Sequence, residues 1–284
     1  MRGKSRATLE IIDSCSDLLE QIQPASVRAV CYKLFALGLI EDMSKVSTNR
    51  VGRILVKARE EGAIPWKYIV DGTRTGVRRP QWKDPEAFLK AVRTQYARDR
   101  WEDQSYHVEL WSEKSTVEGV LAPVWEDFGI TFRSLHGFNS ATVVKMIADE
   151  SVASDKPFVA LYVGDWDPSG MYMSEADLPT RLDDYGGCVE IARIALLEED
   201  TSSLPSFSAH DKRGDPRYQY FLENYGDRCW ELDAMSPPLL RERVSDAIAR
   251  LIDIDIWERA VRLEQQEFNS LQHYLDGRHF ALTH

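Results

Sequence analysis

Residues 7–22, ATLEIIDSCSDLLEQI, carry apolar side chains at helical spacing and stop before Pro24, which predicts a first helix. Ser26 then stands as N-cap of a second helix, VRAVCYKLFAL, ended by Gly38. Within it Val27, Val30, Cys31, Leu34 and Leu37 form one apolar stripe, whereas Arg28 and Tyr32, four apart, share a face away from its centre. Asp42 to Asn49 reads as a turn, and a third helix follows from about Val51 to Glu61, stopped by Gly62. The segment IPWKYIVD and the tip GTRTGVRRPQW read as a short hairpin or wing, and PEAFLKAVRTQYARDR as a connecting helix.

After residue 104 the rhythm changes to strands alternating with helices. YHVELWS, ITFRSLH, PFVALYVGDWD and CVEIARIAL read as strands, with STVEGVLAPVWEDF and SATVVKMIADESV as helices between them. RCWELDA adds a late strand, and residues 237–275 return to helix. This alternation predicts an α/β domain with a largely parallel sheet. The expected organisation is an N-terminal helix (1–24), a winged helix-turn-helix (25–83), a connecting helix (84–104) and an α/β domain with a C-terminal helical extension (105–284).

Charge sharpens this division. The 284 residues carry a net charge of −11, but residues 1–100 hold 19 Lys or Arg against 12 Asp or Glu, and the remainder 16 against 34. Residues 43–83 alone hold ten basic side chains against Glu60, Glu61 and Asp71. Such a patch engages phosphates whatever the total charge, with strong salt dependence. Its candidate contacts are Arg50, Arg53 and Lys57 on the third helix and Arg74, Arg78 and Arg79 in the wing. No apolar run is long enough to span a bilayer. Cys15, Cys31, Cys188 and Cys229 are scattered without zinc or disulfide spacing, so the expectation is a reduced, cytoplasmic protein.

The candidate chemistry lies at strand ends. In open parallel sheets ligands bind beyond the carboxyl ends of the strands, where Glu113 follows the first strand and Asp165 and Asp167 follow the third. A spacing of two through an extended Trp166 puts both aspartates on one side. Three converging carboxylates repel one another, and a hard cation such as Mg²⁺ relieves that repulsion. A lone D-x-D before Pro168 is more often a turn; the added Glu113 favours a metal site. Glu231, on the late strand, is a weaker candidate for an outer metal partner.

The set WSEKSTVEGVLAPV, SLHGFNSATVV and ALYVGDWDPSG, continuing into RIALLEEDTSSLP and WELDAMSPPLLRERV, resembles the Toprim domain of the A subunit of topoisomerase VI and of its relative, the meiotic double-strand-break protein. The resemblance implies that Glu113, Asp165 and Asp167 bind Mg²⁺, with Gly137 and Asn139 in a nearby loop. It implies that Tyr32 is a nucleophile, with Arg28 preceding it at the family's spacing. Cys31 departs from the pattern, which has an aromatic residue there. It further implies a homodimer in which each tyrosine works with the other subunit's metal, cutting double-stranded DNA. The sequence holds no ATP-site motif, so either an ATPase B-type subunit or other partner is a separate chain, or the protein is a short stand-alone relative of that family.

The expected function is Mg²⁺-dependent DNA double-strand cleavage by tyrosine transesterification. Its rivals are a Toprim nuclease that uses water and a non-catalytic winged-helix DNA-binding protein.

Overall fold

The computed structural model describes residues 6–69, 81–135 and 141–276. The wing tip with Arg74, Arg78 and Arg79, and the loop with His136, Gly137 and Asn139, lie outside them.

The chain begins with α1 (Arg6–Ile22), α2 (Val27–Ala36) and α3 (Lys45–Glu60). Ile12, Leu19, Val30, Leu34, Val51 and Leu55 bury their side chains in one common core. Ser26 caps α2 as expected, its hydroxyl accepting from Ala29 N at 3.1 Å. α3 starts six residues earlier than the turn-like composition of Asp42–Asn49 suggests. Ser44 caps it, accepting from Ser47 N, and Asp42 accepts from Ser44 N and Ser47 Oγ. Polar residues that read as a turn are here a capped first helical turn. Instead of a strand, Trp66–Tyr68 forms a single helical turn, after which Ile69 bridges in parallel to Ala25. α4 (Pro85–Gln95) connects to the second half of the chain.

That half contains β1 (His107–Ser112), α5 (Glu118–Phe128), β2 (Thr131–Ser134), α6 (Ala141–Ala153), β3 (Phe158–Val163), α7 (Pro168–Tyr172), α8 (Leu178–Asp184) and β4 (Val189–Ala195). A short antiparallel pair, β5 (Phe207–Ser208) and β6 (Arg228–Cys229), encloses α9 (Tyr218–Tyr225). α10 (Pro237–Ala249) and α11 (Ile254–Asp276) complete it. The four main strands are all parallel, in the order β2-β1-β3-β4.

Side chains alternate across this sheet. Val108 and Leu110 of β1, with Val159, Leu161 and Val163 of β3, pack under α5 and α10. Trp111, Phe158, Ala160 and Tyr162 face α6 and α8. Burial on both sides explains why β3 reads as a continuous apolar run. Because β2 lies to one side of β1 and β3 to the other, the chain reverses direction across the sheet between β1 and β3. The crevice at such a reversal is where open α/β sheets hold ligands. Among the described residues no helix is long and apolar enough to cross a membrane.

Candidate functional site

Glu113 emerges from β1 and Asp165 from β3, on either side of that reversal. Pairing with β4 continues past the end of β3: Gly164 N donates to Ala195 O at 2.8 Å, and Leu196 N to Gly164 O at 2.9 Å. Trp166 and Trp230 then exchange backbone hydrogen bonds, both 2.9 Å. This antiparallel bridge keeps Trp166 extended and carries Glu231 and Asp233 to the same crevice. Leu232 N donates to Asp165 Oδ1 at 2.7 Å, and Asp165 N donates to Glu113 Oε1 at 3.2 Å. Burial first, then repulsion by Asp165 and Asp167, pushes the Glu113 carboxyl up to about 7. The three carboxylates singled out from the sequence are therefore mutual neighbours.

Asp167 has a second task. Its Oδ1 accepts from Gly170 N at 2.8 Å, capping α7, so the turn reading also holds. Gly170 is required by contact: a Cβ there would lie 2.3 Å from Asp165 O and 2.9 Å from Glu113 Oε1. Beneath the loop, the partly buried Arg193 guanidinium of β4 donates to the carbonyls of Gly164, Asp165, Gly170 and Leu196 and to the Ser174 hydroxyl.

The repulsion expected among these acids is relieved in the structure by two lysines. Lys114 Nζ lies 2.8 Å from Asp165 Oδ1, 3.1 Å from Asp233 Oδ2 and 3.6 Å from Glu231 Oε2. Lys212 Nζ lies 2.6 Å from Asp167 Oδ2. Lys114 was visible as the neighbour of Glu113, but Lys212 and Asp233 arrive through long-range contacts with no local signature. The three acids offer the oxygen donors that a hard cation prefers, and among the described residues Glu113 forms no ion pair with a lysine, although the charge of Lys114 acts on it. The two aspartates, however, are each already neutralised by an ammonium group. Among the described residues no three acidic, histidine or cysteine side chains are gathered so as to hold a metal ion. The oxygen donors are of the type magnesium takes, but in this arrangement they face lysines and are not gathered around a common point.

The helical unit docks directly on this crevice. Ser26 Oγ donates to Asp233 Oδ1 at 3.1 Å, and Arg241 donates to the carbonyls of Ile22, Gln23 and Pro24. Arg28 Nε and Nη2 form a two-point ion pair with Glu231. The guanidinium also sits 5.8 Å from the Tyr32 ring centroid. Tyr32 is only 6% exposed, although its position off the apolar stripe suggested otherwise, because α2 is covered on a second side by the turn Leu232–Ala234. Burial, then the charge of Glu231, raises its phenol well above the ordinary tyrosine range against the opposing pull of Arg28 and Lys114. Arg28 does pull that pKa down, but burial and the charge of Glu231, with which the guanidinium is paired, outweigh it.

Arg50, Arg53 and Lys57 are exposed along one face of α3. Arg53 and Lys57 line a groove of about 990 Å³ that runs between α2 and α3 to Arg28 and Thr116. There it meets a cleft of about 390 Å³ lined by Glu113, Lys114, Asp165, Lys212, Glu231 and Asp233, which shares Arg28 and Thr116 as walls. No protein-family model matches the chain, and no curated protein matches its sequence.

Proposed function

We propose that the protein cleaves double-stranded DNA through a winged helix joined to a Toprim domain, in the manner of a topoisomerase VI A subunit. The observation that carries this reading is the continuous path from the basic face of α3, past Arg28 and Thr116, into the carboxylate cleft. A duplex held by Arg50, Arg53 and Lys57 through its phosphates has its backbone led towards Glu113, Asp165 and Asp167. These three carboxylates would hold Mg²⁺, which supplies positive charge to the reacting phosphate and to the departing 3′ oxygen.

The protein's own groups do the rest. The Tyr32 oxygen forms a bond to phosphorus as the bond from phosphorus to the 3′ oxygen breaks. Overall, the phenolic proton is replaced on the tyrosine by the 5′ phosphoryl group, and a proton ends on the 3′ oxygen. Since the resting phenol is buried and raised in pKa, Tyr32 must be uncovered before it reacts. Release of Arg28 from Glu231 uncovers it and frees a guanidinium for the phosphate. In this reading two copies of the chain cut the two strands, and an ATPase-type partner, where present, is a separate chain.

The buried tyrosine also favours a second reading, a Toprim nuclease that uses water and leaves Tyr32 as packing. Denaturant trapping on linear duplex with Mg²⁺ separates the two. The first reading expects protein joined covalently to 5′ ends, lost in both Tyr32→Phe and Asp165→Ala. Free ends from Tyr32→Phe at the wild-type rate, with Asp165→Ala dead, assign the nuclease. Metal-independent binding without cutting assigns a non-catalytic DNA-binding protein.

A further inference from the structure

A chain of aromatic contacts leads from the aspartate loop to a pocket outside both the groove and the cleft. Trp166, the residue between Asp165 and Asp167, meets the Tyr225 ring edge to face, with centroids 5.7 Å apart. Tyr225 meets Tyr220 at 6.0 Å, and Tyr220 meets Tyr172 at 5.4 Å with the two rings 87° apart in plane. These rings are held in place, because Tyr225 Oη donates to Glu175 and the fully buried Phe221 anchors α9. Tyr172 and Tyr220, both half-buried, line a pocket of about 420 Å³ together with Pro216 and Arg217. Arg217 Nε and Nη2 both donate to the Asp215 carboxylate, which fixes the plane of the guanidinium.

This lining is selective. Two tyrosine rings at right angles, a proline ring and a planar guanidinium all offer flat surfaces on which another ring stacks. The charged side chain on the wall is Arg217, with no carboxylate among the described lining residues, which disfavours an ammonium ligand and favours an electron-rich ring. The position is equally telling. Asp167 caps one end of α7 and Tyr172 stands at the other, about 7 Å along the helix axis, close to the reach from a nucleotide's phosphate to its own base. Pro216 and Arg217 follow Lys212, a wall of the carboxylate cleft, by four and five positions.

We propose that this pocket holds one unpaired nucleobase of the DNA, beside the cleft towards which the backbone is led. A base inside a duplex is stacked on both faces and cannot enter, so the favoured substrate is a duplex that carries an unpaired nucleotide, as at an overhang or a flap. Two donors of Arg217 are spent on Asp215, so selection rests on stacking and tolerates any base. This inference rests on the reading that the protein binds DNA, and it requires no metal in the cleft.

The experiment measures binding of the full chain, without divalent metal, to two fluorescent probes. One is a duplex with 2-aminopurine in an unpaired overhang, and the other is the same duplex with the 2-aminopurine paired. Wild type should bind the overhang probe about five- to a hundredfold more tightly and quench its emission. Tyr172→Leu and Tyr220→Leu, shown to be folded by thermal unfolding, should lose most of that preference while keeping their affinity for the paired probe. Tyr220→Phe should retain the preference, since the ring and not the hydroxyl stacks. Equal affinity of wild type for the two probes, or a preference and quenching that survive both leucine variants, overturns the inference and leaves the DNA-binding reading standing. Binding of neither probe by wild type overturns both.

Discussion

Arg28 and Glu231 are 203 positions apart and meet through two parallel hydrogen bonds. That ion pair, with Ser26 on Asp233, fastens α2 to the segment that Trp230 pins beside Asp165. It also holds the Arg28 guanidinium 5.8 Å from the Tyr32 ring centroid. Replacing Glu231 with Ala should lower unfolding stability by about 1–2 kcal/mol, since the pair is only partly buried. The same change should raise nitration of Tyr32 by tetranitromethane. Unchanged stability together with unchanged nitration would mean that the pair does not hold the tyrosine in place.

Much of this arrangement was legible in the chain and some was not. Helical spacing gave the first three helices, and short apolar runs gave β1 and β3, because burial on one face of a helix or on both faces of a parallel strand writes itself into local sequence. The positions of Glu113, Asp165 and Asp167 followed from a rule about strand ends. Lys212 and Asp233 were invisible, because the antiparallel contact of Trp166 with Trp230 and the turn at Ala209–Lys212 join segments with no shared period. Tyr32 was misjudged for a related reason: a hydrophobic stripe reports the main core, not a second covering element such as Leu232–Ala234. α3 was begun too late, because Ser44, Ser47 and Asp42 favour turns and helix caps alike.

Gly170 offers a test of how tightly the aspartate loop must be drawn. A methyl group there meets the Asp165 carbonyl at 2.3 Å and Glu113 Oε1 at 2.9 Å, so backbone must move. Gly170→Ala should cost about 1–3 kcal/mol of stability. It should also abolish Mn²⁺ uptake in calorimetry if the acids act together. Wild-type affinity in this variant would show that the spacing of Glu113 and Asp165 is unimportant for metal.

Glu109, distant from the cleft chemistry, sets an acid limit. It is 3% exposed and accepts from Arg133 Nε and Nη2 at 2.8 and 2.7 Å and from Trp111 Nε1 at 2.6 Å. Burial pushes its carboxyl up, but hydrogen bonds from His107 and Arg133 and the charge of Arg133 win, bringing it down to about 2. A folded-state pKa below the unfolded one stabilises the fold above the unfolded value, and this contribution is lost as pH falls towards 2. The loss should reach about 2–3 kcal/mol at most. In urea unfolding, wild type should therefore lose more stability than Glu109→Gln between pH 4.5 and 2. Parallel curves would assign the acid sensitivity to other carboxylates.

The basic face of α3 makes its own prediction, independent of cleavage. Arg50, Arg53 and Lys57 are exposed on one side of the helix, and Arg53 and Lys57 border the groove that leads to Arg28. If each neutralises one phosphate, each releases about one counterion on binding. The logarithm of duplex affinity plotted against the logarithm of salt concentration should then lose about 0.9 from its slope for each residue changed to alanine. The loss should be the same on unrelated DNA sequences, because phosphates carry no sequence. Asp13 and Asp17 on α1 lie outside that groove, and their change to asparagine should leave the slope alone. A slope that is identical in wild type and the triple variant would remove α3 from the interface, and with it the path that leads a duplex to Glu113 and Asp165.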